Sequence, residues 1–223
     1  MKFKGILTNG IQIPLVAAFL SWTAFTSGAN EVGLTANMPY VDILTEGGKV
    51  RIERIQDQEN ILTGGFAKTS RKCPPFCIQP QNVAPGVKNV AEMELLDFML
   101  KDVAAGTGIL VDARTPTWHQ NGTIPGSINV PFTACAADID DPNFQKAMDI
   151  FGVKRSDTGQ FDFTNAKDLV MYCNGPWCGQ SPRAIKGLIK RGYPPSKLFY
   201  YRGGMQLWNI MGLTTTIGIS DFN

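Results

Sequence analysis

Hydrophobic residues recur at two spacings along the second half of the chain, and these spacings predict alternating strands and helices. Short apolar runs, typical of buried strands, cover residues 108–112, 127–130, 168–172 and 197–201. Apolar residues three and four positions apart, typical of helices, cover residues 92–103, 143–153, 181–191 and 205–211. The alternation predicts an α/β fold, with a mostly parallel sheet and helices on both faces.

Polar residues mark where two of these helices begin. Asn89 is placed to cap the first helix, with Glu92 at its third residue. Ser181 and Pro182 open the helix that Gly192 ends.

The first half of the chain carries a different pattern. Residues 40–56 alternate around Gly47-Gly48, which predicts a small β-hairpin. Residues 57–85 are rich in Gln, Asn, Gly, Ser and Pro and are interpreted as a loop or linker. We therefore divide the chain into residues 1–29, an N-terminal extension over residues 30–87 and an α/β domain over residues 88–217.

Residues 1–29 have the order of parts typical of a secretory signal peptide. Lys2 and Lys4 precede an apolar stretch over residues 11–25, and small residues follow it. The stretch is shorter than the roughly 20 residues that span a bilayer, so cleavage is preferred over an uncleaved membrane anchor. Both alternatives predict an exported protein, in the periplasm or an equivalent compartment.

Composition narrows the classes of function. Beyond residue 29 the chain has 19 basic and 19 acidic side chains, so it lacks the basic excess of nucleic-acid-binding proteins. A hydrophobic content of 43% excludes disorder over most of the length.

The five cysteines become informative in an exported protein, where disulfides persist. Neither Cys73 and Cys77 nor Cys173 and Cys178 have the two-residue gap of zinc knuckles, and His119 is the single histidine, so no metal or cofactor is predicted. Cys73 and Cys77 are interpreted as a structural disulfide. An electron relay to Cys173 and a soft-sulfur copper site are the alternatives.

Two residues are assigned no chemistry. Cys135 follows a strand and is expected to be a small buried hydrophobic residue. His119 falls in a polar stretch and is expected at the surface.

Cys173 follows the 168–172 strand directly, at the sheet edge where α/β proteins bind ligands. The helix N-terminus after it offers N–H groups and a positive dipole end, which stabilise a thiolate, the reactive form of cysteine. Arg183 on that helix would add positive charge. The alternative is a structural cysteine in the core. The glycines and the proline of the following loop argue against it, because a packed core does not need such turn-forming residues. That loop comprises Asn174, Gly175, Pro176, Trp177, Cys178, Gly179, Gln180 and Ser181.

Five segments, in this order, resemble the rhodanese (sulfurtransferase) family over residues 88–216. They are LVDARTP at 110–116, GTIPGSINVP at 122–131, VMYC at 170–173, GY at 192–193, and RGG with Trp208 and Gly212 at 202–212. The resemblance implies a rhodanese α/β fold in which Cys173 carries a persulfide during sulfur transfer. It also implies that Asp112 and Arg114 support the site without reacting.

The chain departs from the family pattern at several positions. Thr123 stands where the family usually has histidine, and the stretch from Cys173 to the end of the next helix is longer than usual. Gly179 occupies the place of the arginine that holds an oxyanion in related phosphatases, so phosphatase activity is not expected. Cys178 either resolves an oxidised or persulfidated Cys173 as a disulfide or packs beside Trp177.

The sequence therefore predicts an exported rhodanese-like sulfurtransferase. Cys173 would accept sulfane sulfur from a small anionic donor, thiosulfate or a polysulfide, and pass it to a thiol or to cyanide. A periplasmic redox or sulfur-carrier protein is a candidate partner; a nucleic acid is not. Two rival hypotheses are a thiol–disulfide oxidoreductase using Cys173 and Cys178, and a non-catalytic rhodanese-like module that presents its loop to a partner.

Overall fold

A computed structural model describes residues 31–222 of the 223-residue chain, so the predicted leader over residues 1–29 lies outside the described residues. The strands are β1 Tyr40–Thr45, β2 Gly48–Glu53, β3 Lys88–Asn89, β4 Gly108–Asp112, β5 Ile128–Asn129, β6 Lys154–Arg155, β7 Phe161–Asp162, β8 Asp168–Tyr172 and β9 Leu198–Tyr201. The α-helices are α1 Glu92–Phe98, α2 Pro116–Gln120, α3 Phe132–Cys135, α4 Pro142–Ile150, α5 Gln180–Lys190 and α6 Gly204–Ile210. Short 3-10 turns cover Gly64–Ala67 and Pro195–Lys197, and a π-helical turn over Met99–Val103 continues α1.

Five parallel strands form the central sheet, in the order β3-β9-β8-β4-β5. The apolar strands β4, β8 and β9 occupy its middle, where both faces are covered. Their carboxyl ends meet at one edge because parallel strands run in the same direction. The sheet and its flanking helices confirm the predicted α/β fold.

Each central strand contributes to two hydrophobic cores, because successive side chains point to opposite faces of the sheet. On β8, Leu169 and Met171 pack with the helices α3, α4 and α5. Val170 and Tyr172 pack with α1, α6 and the β1–β2 hairpin. The first of these cores lies on the side from which α5 approaches Cys173.

The predicted hairpin is confirmed, and it belongs to the second core. Val41, Ile43 and Ile52 are buried there against the sheet domain. Backbone hydrogen bonds tie the end of β2 to the chain after α6: Ile55 N–H donates to Gly212 at 2.8 Å. The extension therefore packs as part of the same body as the α/β domain.

One predicted helix start is wrong. Asn89 lies in β3 and pairs with Tyr200, so it does not cap α1. The helix begins at Glu92, where the Glu94 side chain accepts the Ala91 N–H at 3.1 Å. The apolar pattern did not indicate this edge strand, because β3 is only two residues long.

No helix within residues 31–222 is both long enough and apolar enough to cross a membrane.

Candidate active site

The Cys173 thiol lies at the carboxyl end of the central strand β8, and it is almost fully buried. The Ser181 hydroxyl, in the first turn of α5, donates to Cys173 Sγ at 3.1 Å. Cys173 Sγ in turn lies 3.2 Å from the carbonyl oxygen of Cys178. These contacts place the thiol on the α5 side of the sheet, inside the active-site loop, the name used here for residues 174–181.

The acidity of Cys173 is the result of two opposed effects. Burial raises the pKa of the thiol, because it disfavours the charged thiolate. Hydrogen bonds from the side chains of Cys178 and Ser181 and from the N–H groups of Ser181 and Gly175 outweigh burial and lower the pKa to about 7. A substantial share of Cys173 is therefore thiolate near neutral pH.

Cys178 behaves in the opposite way. Its hydrogen bond to Cys173, followed by burial, raises the pKa of the Cys178 thiol far above its ordinary value. The Cys178 thiol also lies 3.6 Å from the side-chain oxygen of Gln180. Both cysteines are free thiols, so the structure brings together the two cysteines of the loop in their reduced state.

The start of α6 holds the backbone of Cys173 in place. Met205 N–H donates to the Cys173 carbonyl at 3.0 Å, and Gln206 N–H donates to the Asn174 carbonyl at 2.9 Å. Gly204 has a φ of 53°, and a Cβ there would collide with the Cys173 carbonyl oxygen. The Gly-Gly motif therefore has a physical role that sequence analysis did not assign: close approach of two backbones.

A buried charge network connects β4 to the active-site loop. Asp112 accepts a hydrogen bond from the Arg114 guanidinium at 2.6 Å and from the Thr123 hydroxyl at 2.9 Å, and His119 Nδ1 lies 2.9 Å from it. Arg114 also donates to the Asn174 side-chain oxygen at 3.3 Å. Burial raises the pKa of Asp112, but the hydrogen bonds from His119 and Arg114 outweigh it and lower the pKa to about 2.

The expectation that His119 is a surface residue is wrong. It is 1% exposed and faces Asp112, and its ring packs directly against Gly218 of the C-terminal segment. The polar sequence context did not reveal this, because Gly218, which covers the ring, is far from His119 in the sequence. Cys135, by contrast, is buried as expected, and burial raises its pKa to about 12.

The stretch interpreted as a linker packs on the active-site loop. Gln79 N–H donates to the Pro176 carbonyl at 2.8 Å. The side chain of Arg202, which directly follows β9, donates to the Gln79 carbonyl at 3.0 Å. Phe76 meets the Trp177 ring edge-on, with centroids 5.6 Å apart. Residues 64–79, here called the cover segment, therefore form one wall of the site.

Further contacts fix the cover segment above Trp177. The Arg71 guanidinium lies 3.7 Å from the centroid of that ring. Gln206 accepts a hydrogen bond from the Trp177 indole at 2.6 Å and donates to the Phe66 carbonyl at 2.9 Å. The composition of this stretch gave no signal for these contacts, since they depend on α6.

The structure joins Cys73 and Cys77 within the cover segment, with Cα atoms 4.7 Å apart. Arg183 is exposed, and its guanidinium lies 5.0 Å from the centroid of the Phe132 ring. Its predicted contribution to the field at Cys173 stays a prediction. Among residues 31–222, no group of three or more His, Cys, Asp and Glu side chains is arranged to hold a metal.

Comparison with known proteins decides the family. The model of the rhodanese-like domain matches residues 94–211, which is more than half of the chain. The chain belongs to the rhodanese-like family. In this rhodanese-like protein, two of the matching segments contact the site: Arg114 donates a hydrogen bond to Asn174, and Gly204 lies against the Cys173 carbonyl.

Individual relatives are more distant. The HTH-type transcriptional regulator Rv0324 of Mycobacterium tuberculosis is 28% identical over 120 residues, which are 54% of this chain and 42% of the regulator. The chain thus spans about two fifths of the length of that relative.

Two solved structures have a lower sequence identity to this chain than that regulator. A thiosulfate sulfurtransferase from Pseudomonas aeruginosa is 19% identical, with a TM-score of 0.39 over 60% of this chain and 21% of its own. A human single-domain sulfurtransferase is 20% identical, with a TM-score of 0.39 over 55% of this chain and 96% of its own. Similarity at this level says nothing about the substrate of this rhodanese-like protein.

Proposed function

We propose that this protein is an exported sulfurtransferase in which Cys173 carries a persulfide. The observation that supports the proposal is the Cys173 thiol itself, at the end of β8, with a pKa lowered to about 7 by the hydrogen bonds of the active-site loop. A thiolate at neutral pH is the nucleophile that sulfur transfer requires.

The proposed first step is attack by the Cys173 thiolate on the outer sulfur of thiosulfate. The S–S bond of the donor breaks, and sulfite leaves with the bonding electron pair. In the second step a thiolate or cyanide attacks the outer sulfur of the persulfide, and the Cys173 thiolate is released. The two steps balance without an external oxidant, and a polysulfide would react in the same way.

The surroundings of the loop suit an anionic donor. Ser181 and the loop amides donate hydrogen bonds toward the sulfur position. Arg71 and Arg202 lie on the wall that the cover segment forms against the loop. Hydrogen bonds and positive charge at the reacting centre favour the negative charge that the donor brings.

The test is thiocyanate formation from thiosulfate and cyanide, with Cys173→Ser as the comparison. We expect turnover by the natural protein and none above background by the variant. Turnover that survives in Cys173→Ser would contradict the proposal.

Export is the second part of the proposal. It is supported by the leader pattern over residues 1–29 and by the Cys73–Cys77 pair, which would persist as a disulfide in an oxidising compartment. N-terminal sequencing of the protein from its native compartment should begin at Asn30. Recovery of Met1 or Lys2 would contradict cleavage.

A thiol–disulfide oxidoreductase is the second candidate, and the closeness of two free cysteines in one loop favours it, with Cys173 Sγ 3.2 Å from the Cys178 carbonyl oxygen. Cys173 would attack the disulfide of a partner, and Cys178 would displace the partner's thiol to leave a Cys173–Cys178 disulfide. This function would show a reversible disulfide between the two cysteines and no stable persulfide.

A further inference from the structure

Among residues 31–222, two buried side-chain polar atoms have no hydrogen-bond partner: Arg71 Nε and the hydroxyl oxygen of Tyr200. Tyr200 is fully buried, and its hydroxyl has no hydrogen-bond partner among the described residues. A buried donor without a partner is destabilising, so most buried hydroxyls in proteins are paired.

The other buried tyrosines follow that rule. The Tyr172 hydroxyl lies 2.7 Å from the Thr123 hydroxyl. Tyr201 donates to Glu92 at 2.6 Å, and Tyr193 donates to the Lys167 carbonyl. Tyr200 is thus the exception among the buried tyrosines of residues 31–222.

The sheet places this hydroxyl beside the reactive thiol. Tyr200 on β9 pairs with Met171 on β8, and both side chains belong to the core beneath α5. Cys173 follows Met171 by two residues, and its bond from Ser181 fixes its thiol on that same α5 side. The two groups therefore lie on neighbouring strands, on one face of the sheet, beneath the start of α5.

The electrostatic neighbours of the hydroxyl agree with this placement. After burial, which raises the pKa of Tyr200, the groups that act on it are Cys173, Arg202 and Cys178. All three lie at the carboxyl edge of the sheet. The raised pKa keeps the hydroxyl protonated, and therefore a donor, throughout the physiological range.

The distance between the groups changes when sulfur is loaded. Without a second sulfur, neither loop thiol is hydrogen-bonded to the Tyr200 hydroxyl. A persulfide extends the side chain of Cys173 by one S–S bond, about 2 Å. Its outer sulfur carries the negative charge and accepts hydrogen bonds.

We propose that the Tyr200 hydroxyl is a positioning group that donates a hydrogen bond to the outer sulfur of the Cys173 persulfide. The inference rests on the proposed function, since it assigns the stabilisation of that function's intermediate. The hydroxyl is unpaired in the sulfur-free protein because its acceptor, the outer sulfur of the persulfide, is supplied by the sulfur donor.

The test compares Tyr200→Phe with Tyr201→Phe. The first variant removes only the unpaired hydroxyl, whereas the second removes a paired hydroxyl on the opposite face of the sheet. Both variants and the natural protein are loaded with inorganic polysulfide, which persulfidates reactive thiols independently of thiosulfate. Mass spectrometry then follows the persulfide over time, and iodoacetamide measures the reactivity of unloaded Cys173.

We expect the persulfide of Tyr200→Phe to decay about tenfold faster, the effect of losing one hydrogen bond to a charged group. Alkylation of unloaded Cys173 should be unchanged, which a merely structural role would not give. In Tyr201→Phe the persulfide lifetime should equal that of the natural protein.

Equal lifetimes in Tyr200→Phe and the natural protein would overturn the inference, and so would equal shortening in both variants. Loading by polysulfide but not by thiosulfate would contradict the proposed donor and leave the comparison of lifetimes valid. Failure of the natural protein to load from either source would overturn both the function and the inference.

Discussion

The two thiols of the active-site loop differ in acidity because they have different roles in one hydrogen-bond arrangement. Cys173 receives hydrogen bonds from Ser181, Gly175 and Cys178, which stabilise its thiolate. Cys178 donates toward Cys173 and must keep its proton to do so. We therefore expect Cys173 to be the thiol that reacts first.

This asymmetry predicts the pH dependence of alkylation. The thiolate is the reactive form, so the rate at Cys173 should rise with pH and be half of its maximum at about pH 7. Iodoacetamide labelling followed by peptide mass spectrometry measures the rate at each cysteine separately. Cys135, with a pKa raised to about 12 by burial, should remain unlabelled over the same range. A midpoint near the ordinary thiol value would contradict the hydrogen-bond arrangement.

The same asymmetry predicts separate roles for substitutions at the two cysteines. Cys178→Ser retains a donor beside Cys173, so it should still load sulfur, and its persulfide should last several times longer if Cys178 resolves the persulfide. Mass spectrometry over time after thiosulfate treatment measures this lifetime. Failure of Cys178→Ser to load would show that the cysteines act as a redox pair, as the oxidoreductase hypothesis requires.

At the scale of residues, the prediction that Cys173 is reactive rests on a local signature: an apolar strand, a glycine-containing loop and a helix start. Sequence reasoning has access to such a signature. It could not find the roles of His119 or Tyr200. The burial of His119 depends on Asp112 and on Gly218, and the unpaired state of Tyr200 depends on β8 and the active-site loop. The contact of His119 with Gly218 and the pairing of Tyr200 with β8 each join residues that are far apart in the sequence.

Among the elements, the turn between β9 and α6 positions the reactive residue through its backbone. Gly204→Ala would place a methyl group against the Cys173 carbonyl and strain a left-handed φ of 53°. We expect Cys173 loading to fall by at least tenfold, because misplacement of the reacting atom by about 1 Å can have a still larger effect.

Gly65→Ala is the matched control for this prediction. A Cβ at Gly65, in the cover segment, would meet nothing within 4 Å. The control should load like the natural protein when both are assayed with thiosulfate by intact mass. Equal loading by Gly204→Ala and Gly65→Ala would contradict the assigned role of the turn.

The link between β4 and the active-site loop predicts a large effect on stability. Arg114→Met leaves the Asp112 carboxylate buried without its guanidinium, a change that typically destabilises proteins by about 3–5 kcal/mol. Lys101→Met removes one partner of the exposed Lys101–Asp97 pair and should change stability little. Urea unfolding of both variants measures the difference. Similar midpoints for the two variants would show that the buried network does not support the fold.

Elements with a long, regular pattern were predictable. The strands β4, β8 and β9 are apolar runs, and α5 has the periodicity of a helix. It begins at Gln180, before the predicted start at Ser181 and Pro182. The two-residue strands β3, β6 and β7 and the short helices α2 and α3 contain too few positions to show a period, whereas the strand predicted over residues 127–130 is present as β5. Asn89 illustrates the consequence, because its pairing with β9 prevailed over its local suitability as a helix cap.

For the whole molecule, the N-terminal extension and the α/β domain pack closely against each other. The hairpin completes one of the two cores, and the cover segment forms a wall of the active-site loop. Composition alone could not reveal this, because the Gln-rich and Pro-rich stretch makes its contacts through backbone groups and a few aromatic rings. The candidate site is therefore built from both parts of the chain.

The central claim is that Cys173 carries sulfur in the folded protein. Mass spectrometry of the intact protein tests this claim most directly. The mature protein is reduced, freed of reductant, treated with thiosulfate and weighed, alongside Cys173→Ser. The account predicts one added sulfur atom on the natural protein, mapped to Cys173, and none on Cys173→Ser. An unchanged mass, or sulfur found on Cys178 in the variant, would contradict it.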